Sequence, residues 1–113
     1  MALPVLRVGL IGNGTVGSAF ATALDANQER LAQRLGARLR LTQVAVRHPD
    51  RHRGTLAGVR IHDDAESLAN DASVDLVVEA SGSPDAATWL RRAIARGAAA
   101  VSANKQAIAG DRV

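Results

Sequence analysis

Close to its amino terminus the chain reads Val8-Gly9-Leu10-Ile11-Gly12-Asn13-Gly14-Thr15-Val16-Gly17, an apolar run that passes into a glycine-rich turn. The apolar run begins at Val5 and is typical of a strand that is buried on both faces of a parallel sheet. Beyond the turn, apolar residues recur at spacings of four and seven, which predicts one helix with a single buried stripe. Gly36 is a natural end for that helix. The stripe consists of Val16, Phe20, Leu24, Leu31 and Leu35.

The three glycines have the spacing Gly12-x-Gly14-x-x-Gly17 and lie between the predicted strand and the predicted helix. In that context the first glycine allows a tight turn, the second lets a pyrophosphate approach the backbone, and the third lets the helix pack on the strand. The free N–H groups at the start of the helix would bind the pyrophosphate, and the helix dipole favours its negative charge. A glycine-rich turn without a ligand is the alternative. The candidate cofactor-binding residues of this turn are Gly12, Asn13, Gly14, Thr15, Val16 and Gly17.

The rest of the chain continues the alternation of strands and helices. Strands are predicted over residues 38–47, 59–62, 74–79 and 98–103, with a short helix over 65–70 and a longer one over 84–96. Alternation at this rhythm implies right-handed crossovers between parallel strands. The sequence therefore predicts an α/β fold, a doubly wound parallel sheet of the Rossmann type with about five strands. Residues 1–113 would form one domain of this kind.

The longer helix has signals at both ends. Ser83 would cap it, Pro84 would be its first residue, and Gly97 would end it. Its apolar side chains are expected to face inward, and its arginines to form an outer face in contact with solvent. The inward set is Leu90, Ala93 and Ile94, and the outer set is Arg91, Arg92 and Arg96.

The formal net charge of +3 and the isoelectric point of about 11.0 come mainly from arginine, since Lys105 is the only lysine. A basic surface suits partners that carry phosphate, either a cofactor or a nucleic acid. Nucleic acid is disfavoured because Phe20 and Trp89 are the only aromatic residues and provide no stacking platform. A free-standing nucleotide-binding module stays an alternative to an enzyme.

Several residue types that the chain lacks exclude whole classes of site. There is no cysteine, so neither a disulfide nor a thiolate metal site can form. His48, His52 and His62 are spread over one loop and one strand end without clustered acids, and are expected to be solvated loop residues rather than metal ligands. No apolar run approaches the roughly 20 residues needed to cross a bilayer, and the first residues do not resemble a secretory leader. A soluble, cytoplasmic protein is therefore expected.

The end of the second predicted strand decides which adenosine ribose is preferred. An NAD site usually has Asp or Glu there, whereas this chain has Arg47. Arginine can bind a 2′-phosphate through a bidentate, charge-assisted contact, and Arg51 and Arg53 would add to the positive field. NADP is therefore favoured over NAD. The alternative is that Asp50 reaches the ribose 2′-hydroxyl, which leaves NAD or dual use open.

Two later segments reach the same carboxyl edge of the predicted sheet, where open parallel sheets bind ligands. After the fourth strand, Ser81 and Gly82 are small and leave room for the nicotinamide ribose. Glu79 beside them either contacts cofactor or substrate or is a strand end bonded to neighbouring backbone, and it is not assigned as catalytic. After the fifth strand, Lys105 could reach a substrate carbonyl, and Asn104 could bind ribose or substrate. An ordinary surface lysine is the alternative.

Three stretches taken together resemble the N-terminal domain of the homoserine dehydrogenases. They are residues 12–17 with their Gly-Asn-Gly-Thr-Val-Gly pattern, Ala45-Val46-Arg47, and Ser102-Ala103-Asn104-Lys105. The resemblance implies reversible reduction of aspartate 4-semialdehyde to homoserine with NAD(P)H, on the route to threonine and methionine. It also implies that Lys105 is catalytic and assists proton transfer at the substrate's carbonyl oxygen, or polarises it.

The chain departs from that family in two motifs and in length. The family usually has threonine in place of Ser102, and Glu-x-x-Gly-Gly where this chain has Glu79-Ala80-Ser81-Gly82-Ser83. Family members also carry a second domain with further substrate-binding residues and a dimer interface. The resemblance therefore implies the cofactor domain of a longer, homo-oligomeric enzyme that acts on a small molecule. The 113 residues alone are expected to bind nucleotide but to have no catalytic activity. The cofactor domain of another dehydrogenase or reductase, such as aspartate dehydrogenase or dihydrodipicolinate reductase, is the alternative enzyme.

Overall fold

The computed structural model describes residues 3–12, 14–52 and 58–102, with side chains given for all of these except 14–17 and 52. Five parallel strands in this part of the chain form one sheet, in the order β3-β2-β1-β4-β5. The predicted doubly wound parallel sheet is thereby confirmed. The strands are β1 (Val5–Ile11), β2 (Arg38–Ala45), β3 (Arg60–His62), β4 (Leu76–Glu79) and β5 (Ala99–Ser102).

Helices cover both faces of the sheet. On one face Phe20, Leu24 and Leu31 pack against Val8 and Val44. On the opposite face the helices that follow β3 and β4 contribute to a second core, whose members include Ile11, Leu68, Val77 and Ala93. No helix in the described ranges combines the length and apolarity needed to cross a membrane. The helices are α1 (Gly14–Ala26), α2 (Gln28–Leu35), α3 (Ala65–Asn70) and α4 (Ala86–Ala95), with a short 3-10 helix at Pro49–His52.

The single helix predicted between Gly14 and Gly36 is wrong, because the chain breaks at Asn27 into α1 and α2. The Asn27 side chain donates a hydrogen bond to the carbonyl of Ala23 at 2.7 Å, and its backbone N–H donates to Leu24 at 3.2 Å. An asparagine that binds nearby backbone in this way competes with the regular helix. The break changes the phase of the predicted stripe, and Leu35 is 55% exposed. Gly36 does end α2, in the left-handed conformation with φ of 67°.

Helix α4 begins at Ala86 and not at Pro84. The hydroxyl of Ser83 accepts a hydrogen bond from the backbone N–H of Asp85 at 3.1 Å, which holds these residues in a turn before the helix. Leu90 and Ala93 face inward as predicted, whereas Ile94 is 59% exposed because it lies beyond the edge of the contact stripe.

The arginines of this helix are not a simple solvated face. Arg96 is partly buried and donates to the carbonyls of Ala69 and Val74, each at 2.8 Å. Arg92 forms an ion pair with Glu66 of α3. Both arginines therefore tie α4 to the segment before β4, a contact between elements that the helical periodicity does not reveal.

Strand β2 carries a bulge at Thr42, since Val8 of β1 pairs with Leu41 whereas Gly9 pairs with Gln43. The extra residue shifts by one position the alternation of side chains between the two faces of the sheet. Leu41 and Val44 therefore lie in the same core cluster, on the face covered by α1. Gln43 is turned to the opposite face, where it is buried. Strands β2–β5 otherwise lie within their predicted ranges, and α3 has its predicted bounds.

Gly9 allows α3 to approach the central strand. A Cβ atom at this position would lie 2.7 Å from Cδ2 of Leu68 and 3.1 Å from Cγ1 of Val74, and both side chains are fully buried. We expect Gly9→Ala to lower the free energy of unfolding by about 1–3 kcal/mol through overpacking. Urea unfolding followed by circular dichroism measures this change.

The control for this prediction is the same substitution in a Leu68→Ala background, where the closest of these atoms, Cδ2 of Leu68, is absent. There we expect Gly9→Ala to lower the free energy of unfolding by much less. The difference between the two backgrounds is the coupling energy between the two sites. An equal cost in both backgrounds would show that packing against Leu68 is not the reason for glycine at this position.

Candidate cofactor-binding site

A cleft of about 750 Å³ opens at the carboxyl edge of the sheet, a volume suited to a small-molecule ligand. The strand order reverses at β1, which lies between β2 and β4, and the cleft is at this point of reversal. Its walls come from separate elements: Gly12 after β1, Arg47 after β2, Ala65 at the start of α3, Ser81 after β4 and Trp89 in α4. The fold therefore brings together residues that are far apart in the sequence.

The glycine turn lies at the centre of this edge. The backbone N–H of Gly12 donates to the carbonyl of Ala45 at 3.0 Å, and the N–H of Ala80 donates to the carbonyl of Ile11 at 2.7 Å. Helix α1 begins at Gly14, so the first turn of the helix follows the strand at once. Thr15, Val16 and Gly17 lie in that first turn, and Asn13 lies outside the described residues. The predicted strand ends at Ile11 and the predicted helix begins at Gly14, so the first N–H groups of α1 lie near the edge of the sheet.

Arg47 lies two residues beyond β2, is exposed, and lines the cleft. The segment before it is held in place because the N–H of Val46 donates to the carbonyl of His62 at 2.7 Å. Asp50 is exposed in the 3-10 helix and is not among the described residues that line the cleft. Arg53 lies outside the described residues. The structure therefore brings Arg47, and not its alternative Asp50, to the wall of the cleft.

The cleft also contains residues that the sequence analysis did not single out as site residues. Asp63 follows β3, and its position after a strand end is a signal that could have identified it. Asp85 lies in the loop between the end of β4 and the start of α4, and its place in a loop at the carboxyl edge of the sheet is a similar signal. Trp89 lies one turn into α4 and is partly buried in the adjacent core. Nothing in the local sequence distinguishes Trp89 from an ordinary core residue.

Glu79 is completely buried at the end of β4. Its Oε1 accepts hydrogen bonds from the backbone N–H and the hydroxyl of Ser81, both at 2.7 Å. Its Oε2 accepts a hydrogen bond from the hydroxyl of Ser102, the last residue of β5, at 2.9 Å. A buried carboxyl is costly unless its oxygens are satisfied in this way. Bonding to neighbouring backbone, one of the two interpretations of Glu79, is present in the structure.

The other predicted residues of this edge are placed as follows. Ser81 is exposed and lines the cleft, and Gly82 beside it has φ of 71°, a left-handed conformation that favours glycine. Asn104 and Lys105 lie outside the described residues, two and three positions beyond the end of β5. Glu79 pairs with Ser102 in the sheet, so the chain leaves β5 at the same edge as the cleft.

His62, predicted to be a solvated loop residue, belongs instead to a partly buried polar network. Its Nε2 donates to Oε1 of Gln43 at 2.9 Å, and its Nδ1 accepts from the backbone N–H of Asp64 at 3.1 Å. Gln43 in turn donates to Asp71 at 2.6 Å. These partners require a neutral imidazole with its proton on Nε2. Burial, followed by the positive charge of Arg60, lowers the pKa of His62 below its ordinary value of 6.5.

His48 is exposed beside the cleft, as predicted. Within the described part of the chain, no group of histidines and carboxylates is arranged to hold a metal ion. The guanidinium of Arg47 and the backbone amides of the cleft can bind phosphate groups of a ligand, whereas the carboxylates of Asp63, Glu66 and Asp85 in the same cleft can accept hydrogen bonds from its hydroxyl groups.

Comparison with known proteins identifies relatives of this architecture. Residues 12–113 match the family model described as the NAD binding domain of homoserine dehydrogenase. The chain is 40% identical over 106 residues to a homoserine dehydrogenase of Methylobacillus glycogenes, covering 92% of the chain and 26% of that protein. It is 38% identical over 108 residues to a homoserine dehydrogenase of Helicobacter pylori, covering 95% of the chain and 25% of that protein. The chain therefore spans about a quarter of the length of the curated relatives that it matches.

Solved structures agree with these matches. The structure of a homoserine dehydrogenase from Thiobacillus denitrificans superposes with a TM-score of 0.80 at 32% identity, over 96% of this chain and 26% of that one. A homoserine dehydrogenase from Staphylococcus aureus superposes with a TM-score of 0.78 at 26% identity, over 92% of this chain and 27% of that one. The similarity in both cases covers the sheet and the helices together.

The pH dependence of folding tests the environment of His62. Because its pKa is lowered in the folded state, the unfolded chain binds more protons between that lowered value and 6.5. We therefore expect the free energy of unfolding to fall as the pH is lowered through this window, and to recover above 6.5. Urea midpoints between pH 5 and pH 8 measure the effect, and His62→Gln should remove this part of the pH dependence.

The matched control is His48→Gln, which changes an exposed histidine at the same edge of the sheet. We expect its pH profile to follow that of the parent protein. A parent profile that His62→Gln leaves unchanged would show that the Gln43 network does not perturb this imidazole.

Proposed function

The chain belongs to the homoserine dehydrogenase family, of which it forms the NAD-binding domain, and on this premise we propose that it binds NADP(H) for the reversible reduction of aspartate 4-semialdehyde to homoserine. The observation that carries the proposal is the cleft at the reversal of strand order, with Gly12 in its wall and the start of α1 two residues further along the chain. The reaction is that of a whole enzyme, and this chain spans about a quarter of the length of the relatives that it matches.

The residues present fit a dinucleotide. Its pyrophosphate would lie on the N–H groups at the start of α1, next to Gly12 and Gly14. Its adenosine half would extend over β2 and β3 towards Arg47, and its nicotinamide half towards Ser81 and Gly82 after β4. When bound, the nicotinamide ring supplies or accepts the hydride. The role of this chain is to bind the cofactor, orient it and exclude water from one side of it.

Lys105 is proposed as the catalytic residue, with Asn104 as its neighbour at the cofactor ribose or the substrate. An ammonium group can donate a proton to the carbonyl oxygen of the aldehyde during reduction and take it back during oxidation, whereas a guanidinium keeps its proton. Strand β5 ends at the cleft edge of the sheet, and Lys105 follows that end by three residues in the sequence, which supports this role. The family similarity, which runs to residue 113, also supports it.

A preference for NADP over NAD is proposed from the charge at the end of β2. Arg47 lines the cleft where a 2′-phosphate would lie, and a guanidinium binds such a group through charge-assisted hydrogen bonds. NAD or dual use is the alternative, because Asp63 also lines the cleft and an acid can accept a hydrogen bond from the ribose 2′-hydroxyl of NAD. We further propose that the full-length enzyme is a cytoplasmic homo-oligomer on the route to threonine and methionine, with small-molecule partners and no role for nucleic acid or membrane.

Replacing Arg47 tests both the site and the preference. We expect Arg47→Ala to weaken NADPH binding by roughly 10- to 100-fold, since a hydrogen bond to a charged group contributes about 1.5–3 kcal/mol. NADH binding should change by less than about twofold, because NADH has no 2′-phosphate. Isothermal titration calorimetry with both cofactors measures the change, and NADPH should also raise the melting temperature of the parent protein.

The control is Arg30→Ala, which removes an exposed arginine of α2 away from the cleft while making the same change in net charge. We expect it to leave both affinities unchanged. Tighter binding of NADH than of NADPH by the parent would overturn the proposed preference, and binding of neither would overturn the proposed function.

A separate prediction concerns the catalytic activity of the chain. We expect the 113-residue chain to bind nucleotide but to show no homoserine-dependent reduction of NADP, because the relatives it matches are about four times as long. Absorbance at 340 nm with homoserine and NADP in excess measures this. Turnover above the background without protein would show that the cofactor domain contains a complete active site.

A further inference from the structure

Glu79 is a buried acid for which the proposed function has no role. It is the last residue of β4, in the strand next to β1 and at the reversal of strand order. Its side chain is fully buried, and three hydrogen bonds reach its two oxygens. An apolar residue of similar volume would fill this space without the cost of burying a carboxyl. The hydrogen bonds themselves are therefore the feature that needs an explanation.

The first pair of hydrogen bonds begins a ladder through the loop after β4. Ser81 donates its N–H and its hydroxyl to Glu79, and the same hydroxyl accepts the N–H of Ser83 at 3.1 Å. The hydroxyl of Ser83 then accepts the N–H of Asp85 at 3.1 Å, immediately before α4. Each residue of the ladder holds the next. Ser81, Ser83 and Asp85 all line the cleft, so the carboxylate sets the shape of this wall.

The third hydrogen bond joins the loop to β5. The hydroxyl of Ser102 donates to the other oxygen of Glu79, and Ser102 is the residue from which the chain leaves the sheet. One carboxylate thus connects the end of β4, the loop after it and the end of β5. In a doubly wound sheet this side of the reversal receives the nicotinamide half of a dinucleotide, while β2 and β3 receive the adenosine half.

We infer that Glu79 is a positioning residue for the nicotinamide half of the cofactor, because its carboxylate holds the Ser81–Asp85 loop and the end of β5 in one arrangement. It acts through Ser81 and Ser102 and does not itself touch the ligand. This inference rests on the proposed function, and it makes the β4 side of the cleft depend on the buried carboxyl group of Glu79.

The test compares a whole dinucleotide with its adenosine half. Glu79→Leu keeps the volume and burial of the side chain but removes its acceptors, whereas Glu79→Gln keeps the acceptor that faces Ser81. The ligands are the dinucleotide that the parent protein binds more tightly and the matching fragment that ends before the nicotinamide ribose, 2′,5′-ADP for NADPH or ADP for NADH. Calorimetry measures both affinities, at a temperature where circular dichroism shows each variant to be folded.

We expect Glu79→Leu to weaken dinucleotide binding at least tenfold and fragment binding by less than twofold, with Glu79→Gln restoring the dinucleotide to within about threefold of the parent. Ser83→Ala interrupts the ladder one step further on, and it should weaken dinucleotide binding more than fragment binding, but by a smaller factor than Glu79→Leu does. It provides a second variant if Glu79→Leu does not fold. Ser73→Ala is the matched control, since its hydroxyl also donates to a carboxylate, that of Asp71, but in the loop before β4. It should bind both ligands as the parent does.

The possible failures are distinct. The folded Glu79 and Ser83 variants could lose affinity for the dinucleotide and the fragment equally, or lose affinity for neither ligand. Either result would overturn the positioning role while leaving the proposed function intact. A parent protein that binds neither dinucleotide would overturn the proposed function and this inference with it.

Discussion

Both edges of β1 are occupied by parallel neighbours, and this two-sided pairing is the constraint on which the rest of the structure depends. β2 pairs along the whole of β1, and β4 pairs along its second half. Because all strands run in the same direction, their carboxyl ends meet at one edge. Gly12, Arg47 and Ser81 lie together at that edge for this reason.

A central strand with neighbours on both sides must also be covered on both faces. Gly9 removes the side chain where α3 comes closest, and the bulge at Thr42 keeps the apolar residues of β2 in contact with α1 after the register shifts. The same bulge turns Gln43 towards His62 and Asp71. The backbone irregularity and the polar network are therefore parts of one arrangement, in which a buried amide receives the partners that it needs.

Two hydrogen-bond networks contribute differently to the edge that carries the cleft. Gln43 and His62 stabilise the end of β3 on the adenosine side, and the lowered pKa of His62 makes that contribution depend on pH. Glu79 holds the opposite side through hydroxyls and a backbone amide. The cleft is thus bounded on each side by an internal hydrogen-bond network, and the cofactor proposed for it would meet loops that are already ordered by the protein.

Much of this fold follows from local sequence pattern. Strand β1 has its predicted bounds because its apolar run is long and Gly12 ends it, and α3 begins where Asp64 caps it through the N–H of Ser67. The errors arise where a side chain binds the backbone close by. Asn27 divides one predicted helix into two, and Ser83 delays the start of α4. Periodicity records which residues are apolar, but it does not show that a polar side chain interrupts the helix or extends the turn before it.

The sequence by itself determined the class of fold, the glycine turn between strand and helix, and the place of Arg47, Ser81 and Gly82 at strand ends, since each depends on spacing along the chain. Only the tertiary structure decided that Glu79 is buried with three donors, that Arg96 bonds two distant carbonyls and that Trp89 lines the cleft. The physical reason is that the partner of a buried polar group is set by which elements pack together. Ser102 is 23 residues from Glu79 in the chain, and only the pairing of β4 with β5 brings their side chains together.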